Sequence, residues 1–367
     1  MYSTAIIPDL EAAINVLPVA ATAGRATKGA AQHLLALVYL TRLNPGDAGL
    51  AEGLTSQVID SDQYALEPDW KTLWRIDQDA SREMVFTMQS TADPLTWGSG
   101  NRWHLYWNMV YDGEPGMTRT LEYGRPWRRV RPSAFFMDSL FNDAADSRYI
   151  DNFRFVWYSN FEGTQPEGME TGDTAIFLIP NVKTSELDQD LYCDKNYVIF
   201  TEPDDFWDPK QLPLGDEYIN VKAEYGTDLF PALTKFQDPH RLSTNDEEGR
   251  RDFPIYRLAD TYLLLAESLI RQGKLADAVP YVNAVRERAA KEGHEVEMRV
   301  GVEQMTLDFI LEERARELFG EGHRWFDLKR FGKLVENIRE HNLDAAPNIQ
   351  DFHVLRPIPQ TQIDRTR

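Results

Sequence analysis

Apolar residues recur at intervals of three and four positions near both ends of the chain, a spacing that is typical of amphipathic helices. In residues 256–272, YRLADTYLLLAESLIRQ, this spacing predicts a helix that ends at Gly273. A second apolar stripe over residues 275–285 predicts another helix, which folds back antiparallel to the first. The pattern therefore predicts a helical hairpin near the C-terminal end.

Small residues in this hairpin indicate how closely its helices pack. Ala266 and Ala278 leave room for two helix backbones to approach, and Gly273 between them can adopt the left-handed conformation of a tight helix end. The order of alanine, glycine and alanine is typical of a tetratricopeptide unit. A second hairpin is predicted over residues 306–334, which begin with TLDFILEERARELF and continue through GEGHRWFDLKRFGKL.

The second hairpin is rich in charged residues. Its glutamates alternate with Arg314 and Arg316 at the spacing of helical ion pairs, so we interpret them as structural and not as the paired carboxylates of a glycosidase. In the block that follows, we predict that Trp325 and Phe326 are buried and that Asp327 pairs with a neighbouring arginine.

The middle of the chain has a different pattern. Helical spacing recurs over residues 4–17, 26–42 and 48–59, but from about residue 61 to 250 it gives way to short β-branched and aromatic runs that predict short strands. An unstructured loop of this length is uncommon in a compact protein, so we predict an irregular but packed insert.

The predicted fold is therefore mainly α, with tetratricopeptide-like helical hairpins and an irregular, loop-rich insert that contains a few short strands. We divide it into a helical unit over residues 1–60, the insert over 61–250, and two further hairpins with a C-terminal strap over 251–367. Loops held on a rigid scaffold commonly carry binding residues, so the insert is the candidate ligand-binding subdomain.

The insert concentrates aromatic residues beside hydrogen-bonding side chains in WGSGNRWHLYWNMVYDG, residues 97–113. A sugar ring stacks its apolar face on an aromatic ring, while its hydroxyls bond to amide, carboxylate and guanidinium groups. The segment therefore predicts an oligosaccharide site. The candidate ligand-binding residues are Trp97, Asn101, Arg102, Trp103, Tyr106 and Trp107. A second group, of lower rank, consists of Trp157, Tyr158 and Asn160.

A packing role is the alternative for these aromatic residues. Trp103, Trp107 and Tyr111 are spaced by four positions, which is also the pattern of a helix that fills a core. Trp97 is the better candidate for ligand contact because Gly98 and Gly100 place it in a loop.

Other charged segments predict no metal or cofactor site. Residues 124–132, GRPWRRVRP, carry four arginines around a tryptophan, and we favour a solvated loop over a site for an acidic sugar. The acid-rich runs DQDLYCDKN and STNDEEG lack the spacing of an EF-hand loop. The seven histidines form no HxH or HxxxH pair.

Composition excludes several classes of function. Lys and Arg number 39 against 59 Asp and Glu, and the net charge of −20 argues against binding to nucleic acid or to anionic lipid. Cys193 is the only cysteine, so no intrachain disulfide forms, and we interpret it as a packing residue. The first residues lack the pattern of a secretory signal.

Three long blocks resemble the signature of the SusD/RagB family, the nutrient-binding outer-membrane lipoproteins of Bacteroidota. They are YRLADTYLLLAES, ILEERARELFGEGHRWFDLKRFG and RPIPQTQID. The resemblance implies a protein without enzymatic activity or cofactor that binds an oligosaccharide or other nutrient outside the outer membrane and delivers it to a SusC-like TonB-dependent transporter. Family members begin with a lipidated cysteine and a further helical unit, so we expect residue 1 to be internal to a longer protein.

Two alternatives remain from the residues alone. A tetratricopeptide-type adaptor binds a peptide or protein on its concave face, with the aromatic residues as core. A glycoside hydrolase needs two opposed carboxylates in a cleft, which the sequence does not locate. Exposure of Trp97, Trp103 and Trp107 on one face, beside Asn and Arg, would favour sugar binding.

Overall fold

The chain is mainly helical, with a few short strands, as predicted. The computed structural model describes residues 1–75, 81–91, 93, 95, 100–141, 144–163, 165–180, 188–191, 199–201, 220–222 and 227–366, with backbone alone at 138, 189, 199–201 and 220–222. The helices are α1 Ile7–Val16, α2 Lys28–Arg42, α3 Asp47–Ile59, α4 Trp70–Leu73, α5 Trp103–Tyr106, α6 Arg148–Asn152, α7 Leu258–Arg271, α8 Leu275–Glu287, α9 Leu307–Glu317, α10 Arg324–Arg330, α11 Leu334–His341 and α12 Gln360–Thr366. The strands are β1 Met84–Met88, β2 Phe153–Arg154, β3 Val156–Tyr158, β4 Thr174–Leu178, β5 Ile199–Thr201, β6 Asn220–Lys222, β7 Ala232–Leu233 and β8 Phe253–Arg257. Within these residues, no helix combines the length and the apolar character needed to span a lipid bilayer.

Helices α7 and α8 form the predicted hairpin. Gly273 has a φ of 76°, and its amide donates to the Ile270 carbonyl at 2.9 Å, which closes the end of α7. Ala266 and Ala278 are both fully buried in one apolar cluster. The small side chains therefore lie at the close approach of the two helices, as the sequence predicts.

The helices from the two ends of the chain share a core. Leu264 of α7 lies in one apolar cluster with Leu35 and Leu40 of α2, and α3 packs along α7. His33 of α2 also contacts Asp260 of α7 through its Nε2 atom, at 3.1 Å. The N-terminal helices thus continue the scaffold built by α7 and α8; the three-part division of the chain stays a prediction.

The insert is packed and carries short strands. β1 pairs antiparallel with β8, β2 pairs antiparallel with β7, and a four-stranded sheet has the order β3-β4-β5-β6. Its aromatic core includes Ala315 of α9, so the insert rests on the helical scaffold. The insert also contains a π-helical turn over Phe135–Leu140 and the short helix α6.

Helix α9 carries buried charge. Glu313 and Glu317 are fully buried, and Arg148 bonds to them at 2.8 and 3.1 Å. Arg286 also bonds to Glu313, and Arg257 bonds to Glu317 at 3.0 Å. The expectation of ion pairs within the helix is confirmed for Arg316, which pairs with Glu313 at 2.9 Å and with Glu312 at 3.9 Å, whereas Arg148, Arg257 and Arg286 come from distant parts of the sequence.

Two predictions for the C-terminal region are wrong. Trp325 and Phe326 are 37% and 59% exposed, because α10 buries its Asp327 side and these two residues point away from it. The predicted C-terminal strap is not extended over its whole length, because residues 360–366 form α12. Pro359 starts a helical turn there, since Gln362 donates to the Pro359 carbonyl at 2.9 Å, and no residue of the resulting α12 is buried. Asp327 pairs with Arg314 at 2.9 Å, as predicted.

Candidate functional site

A stacked pair of aromatic rings lies on the surface of the insert. Backbone amides of Trp127 and Arg129 donate to the carbonyls of Leu105 and Tyr106, at 3.2 and 2.9 Å, and fasten the 127–130 segment onto α5. This attachment stacks the Trp127 ring on the Tyr106 ring, with centroids 5.5 Å apart and planes 28° apart. Both side chains are half-buried, so the pair is supported from below and accessible from outside.

Two arginines lie over the Trp127 ring of this pair. The guanidinium carbons of Arg102 and Arg125 each lie 5.9 Å from the Trp127 ring centre. Glu247 joins them, because its carboxylate lies 3.2 Å from Arg102 and 3.0 Å from Arg125. These three side chains are 38%, 28% and 30% exposed, in the order Arg102, Arg125 and Glu247. We call Arg102, Tyr106, Arg125, Trp127 and Glu247 the Trp127 platform.

Glycine fixes the loop that leads into the platform. Gly124 has a φ of 77°, and a Cβ atom there would lie 2.5 Å from the Asn108 side-chain nitrogen. The Tyr111 hydroxyl donates to the Gly124 carbonyl at 2.5 Å. The loop is therefore held by packing and hydrogen bonds, which keeps Arg125 and Trp127 in position.

Asn101 organises the other side of the platform. Its side-chain amide donates to the Arg251 carbonyl at 3.2 Å and accepts from the Trp103 backbone amide at 2.9 Å. Its own carbonyl accepts from the Gly249 amide at 2.7 Å. Asn101 therefore ties the start of α5 to the segment that carries Glu247, and its ligand contact stays a prediction.

Trp103 and Trp107 of the predicted first group point inward. Trp103 is half-buried and donates through Nε1 to the Gly320 carbonyl at 2.7 Å. Trp107 is 5% exposed in the aromatic core, so it presents no face to a surface ligand and the packing alternative holds for it. Trp97 lies outside the described residues. Of the predicted first group, the structure places Arg102 and Tyr106 against Trp127, with Asn101 at the start of the same segment.

The second predicted group does not form one surface. Trp157 is 1% exposed while Tyr158 is 44% exposed, because neighbouring residues of a strand point to opposite faces. Trp157 is therefore a core residue. The Asn160 side chain bonds both backbone groups of Thr118, at 2.7 and 3.0 Å, and so closes a loop. Tyr158 alone in this group offers an exposed ring.

Sequence reasoning missed Trp127 as the centre of the site. The four arginines around it predict a solvated loop, and Arg128 and Arg131 do pair with Asp228 and Asp344 at the surface. Nothing local shows that Arg102 and Glu247 meet Trp127, since Glu247 lies 122 positions from Arg125. The available signal was an aromatic residue enclosed by arginines in a loop-rich segment.

The buried glutamates of α9 cannot serve a hydrolase. Burial alone would raise the pKa of Glu313, but Arg148, Arg316 and Arg286 hold it well below its usual value. Burial likewise opposes ionisation of Glu317, whose pKa the surrounding guanidinium groups nevertheless lower. Both carboxylates stay ionised and inaccessible, so neither can protonate a glycosidic oxygen.

Sequence comparison relates the C-terminal part of the chain to known proteins. Residues 216–367 match the model of the SusD family. SusD-like protein P25 of Formosa agariphila is 37% identical over 153 residues, which are 40% of this chain and 28% of that protein. Starch-binding protein SusD of Bacteroides thetaiotaomicron is 38% identical over 120 residues, which are 32% of this chain and 20% of that protein. The matches thus span under a third of either relative.

Structural comparison covers the rest of the chain. Surface glycan-binding protein A from Bacteroides thetaiotaomicron, solved in complex with laminarihexaose, has a TM-score of 0.65 and 23% identity over all of this chain and 68% of that one. A SusD superfamily protein from the same species has a TM-score of 0.60 and 21% identity over 98% of this chain and 63% of that one. At these identities the comparison shows a shared fold.

Proposed function

This chain belongs to the SusD/RagB family, and on that premise we propose that it binds an oligosaccharide on the Trp127 platform without cleaving it. The observation that carries the proposal is the platform itself. Two guanidinium groups lie over the half-buried Trp127 ring, and both pair with Glu247. The names of two similar proteins, a starch-binding protein and a glycan-binding protein solved with laminarihexaose, support the same ligand class.

The platform suits a pyranose ring. The apolar face of the sugar stacks on Trp127, and Tyr106 beneath it keeps the ring from moving. Arg102 and Arg125 donate to sugar hydroxyls at the edge of the ring, and Glu247 accepts from them. Because the ion pairs already hold these side chains in place, little side-chain freedom is lost on binding.

Binding without cleavage is supported by the placement of the carboxylates. Glu247 pairs with Arg102 and Arg125, and Glu248 lies 3.6 Å from the same Arg102. A retaining or inverting glycosidase needs two carboxyl groups on opposite sides of the scissile bond. Two neighbouring carboxylates that share one arginine do not have that arrangement.

Calorimetry with laminarihexaose and maltohexaose, followed by chromatography of the recovered sugars, tests this proposal. We expect saturable binding of at least one of the two, with every sugar recovered at full length. Recovery of shortened sugars would instead indicate a hydrolase. Absence of sugar binding together with saturable binding of peptides would support a tetratricopeptide-type adaptor.

Delivery of the sugar to a SusC-like TonB-dependent transporter, from a position on the outer face of the outer membrane, is a further part of the proposal. Family membership alone supports it. Sugar uptake by cells that lack this protein tests it: uptake should fall toward the level of cells that lack the transporter, and unchanged uptake would contradict it.

A further inference from the structure

A cavity of about 510 Å³ lies between the 130–140 segment of the insert and the C-terminal helices α9, α10 and α11. Apolar side chains form most of its wall, among them Val130, Phe136, Leu318, Leu334 and Ile338. Its volume is within the range of roughly 300–1,000 Å³ that is usual for small-molecule sites. The Trp127 platform does not line it, so the cavity is not part of the site proposed above.

Trp107 contributes a buried indole ring to the cavity wall. Trp107 lines the wall and is 5% exposed, and its indole Nε1 has no hydrogen-bond partner among the described residues. The neighbouring Trp103 differs, because its Nε1 is satisfied by the Gly320 carbonyl. The Trp107 nitrogen is buried beneath the cavity surface, so the ring forms part of the apolar wall and is not a ligand contact.

The guanidinium group of Arg324, at the cavity wall, forms few polar contacts. Arg324 lines the cavity, and its Nη1 donates to the Leu311 carbonyl at 2.8 Å. In the part of the chain that the structure describes, no carboxylate forms a salt bridge with it. Asp327 is nearby, but its two oxygens bond Arg314 at 2.9 Å and Arg330 at 3.0 Å. The Arg324 charge is therefore incompletely compensated.

The titration behaviour of Arg324 agrees with this geometry. Burial lowers its pKa to about 10, and the attraction of Asp327 and Glu312 offsets only part of that effect. An added anion would stabilise the charged form. His341 also lines the cavity. Its ring stacks on Phe135 at a centroid distance of 3.7 Å, so the wall contains an imidazole in addition to the Arg324 guanidinium.

We infer that this cavity binds a small apolar carboxylic acid, with its hydrocarbon or aryl body against the apolar walls and its carboxylate on Arg324. An apolar body alone would leave the Arg324 charge uncompensated, and a sugar would leave the apolar wall uncovered. The net charge of −20 disfavours anions in general, so binding depends on Arg324.

Calorimetry with 3-phenylpropanoate and decanoate, each compared with its uncharged amide, tests the inference. A charge-assisted hydrogen bond in a partly buried site is worth about tenfold or more in affinity, so each acid should bind at least that much more tightly than its amide. Arg324→Gln should remove the difference. Arg339→Gln is the matched control, because Arg339 is exposed on α11 and pairs with Asp351.

Several outcomes would overturn the inference. One is that the wild type binds each acid and its amide with equal affinity, and another is that it binds no probe saturably. A third is that Arg324→Gln binds the acids as tightly as the wild type. Tighter binding of a peptide ending in phenylalanine would replace the small acid with a polypeptide. If Arg324→Gln does not fold, Ala345→Trp, which fills the cavity from its wall, should abolish binding of both acids but not of laminarihexaose.

Discussion

At the scale of single residues, the Trp127 platform depends on side chains that come from three separate segments. Arg102 and Tyr106 lie in the segment that the sequence predicts as a sugar site, and the structure places both against Trp127. Trp127 itself lies in a segment that the sequence favours as a solvated loop. A stack of two rings between non-neighbouring segments leaves no local pattern, which is why it was missed.

The first prediction concerns the arginines around Trp127. Arg102→Gln should weaken oligosaccharide binding about tenfold. A hydrogen bond from a charged group to a hydroxyl contributes roughly 1.5–3 kcal/mol, and the glutamine amide replaces part of that contribution. Arg128→Gln is the control, since Arg128 is adjacent to Trp127 in sequence but pairs with Asp228 at the surface. Calorimetry measures the oligosaccharide affinity of both variants, and an equal loss of affinity in the two would argue against the platform geometry.

A second prediction concerns the glycines. Gly124→Ala should destabilise the protein by at least ~1–2 kcal/mol, because an alanine is strained at a φ of 77° and its methyl group would meet Asn108. Gly53→Ala, inside α3 with open space around it, should instead stabilise by ~0.5–1 kcal/mol. Urea unfolding measures both, and two changes of the same sign would refute this account.

At the scale of helices and strands, the periodic segments were predictable and the irregular ones were not. The α7–α8 hairpin follows from its apolar spacing and from Gly273. Helix α10 shows the limit of that reasoning, because a helix of 7 residues carries apolar residues on two sides and only one side is buried. Trp325 and Phe326 lie on the other side.

The hairpin gives the third prediction. Ala266→Trp should destabilise the fold by at least ~1–3 kcal/mol, because Ala266 is fully buried where α7 meets α8 and a large ring overpacks that contact. Ala12→Trp, on the exposed side of α1, is the matched control and should change stability little. Wild-type stability of the Ala266 variant, measured by urea unfolding, would show that the close helix contact is absent.

At the scale of the whole molecule, buried charge joins the insert to the scaffold. Arg148 and Glu313 meet although they are 165 positions apart, and Arg257 links Glu83, Glu317 and Glu321. The sequence showed the charges of α9 but not their partners, because only the tertiary fold brings distant residues together. The fold class could be predicted from periodicity and from family resemblance, whereas this network of ion pairs could not.

The network makes stability depend on acid pH, which is the fourth prediction. Burial opposes ionisation of Glu321, yet Arg257 and Lys235 lower its pKa from 4.5 to about 2. Glu313 and Glu317 shift in the same direction. As pH falls, the unfolded chain binds protons first, so this stabilisation is present above pH 4.5 and is lost between pH 4.5 and 2. Urea unfolding at several pH values measures it; equal stability at pH 3 and 6 would contradict it.

The central claim, that the chain binds sugar on the Trp127 platform, is tested most directly by calorimetry on Trp127→Ala with laminarihexaose and maltohexaose. We expect affinity for the bound sugar to fall about tenfold to a hundredfold, ~1.4–2.8 kcal/mol, because one stacking face is lost. Trp325→Ala, which removes a tryptophan that is 37% exposed on α10, should leave affinity unchanged. Thermal unfolding of both variants should remain close to the wild type. Undiminished sugar binding by a folded Trp127→Ala would contradict the claim.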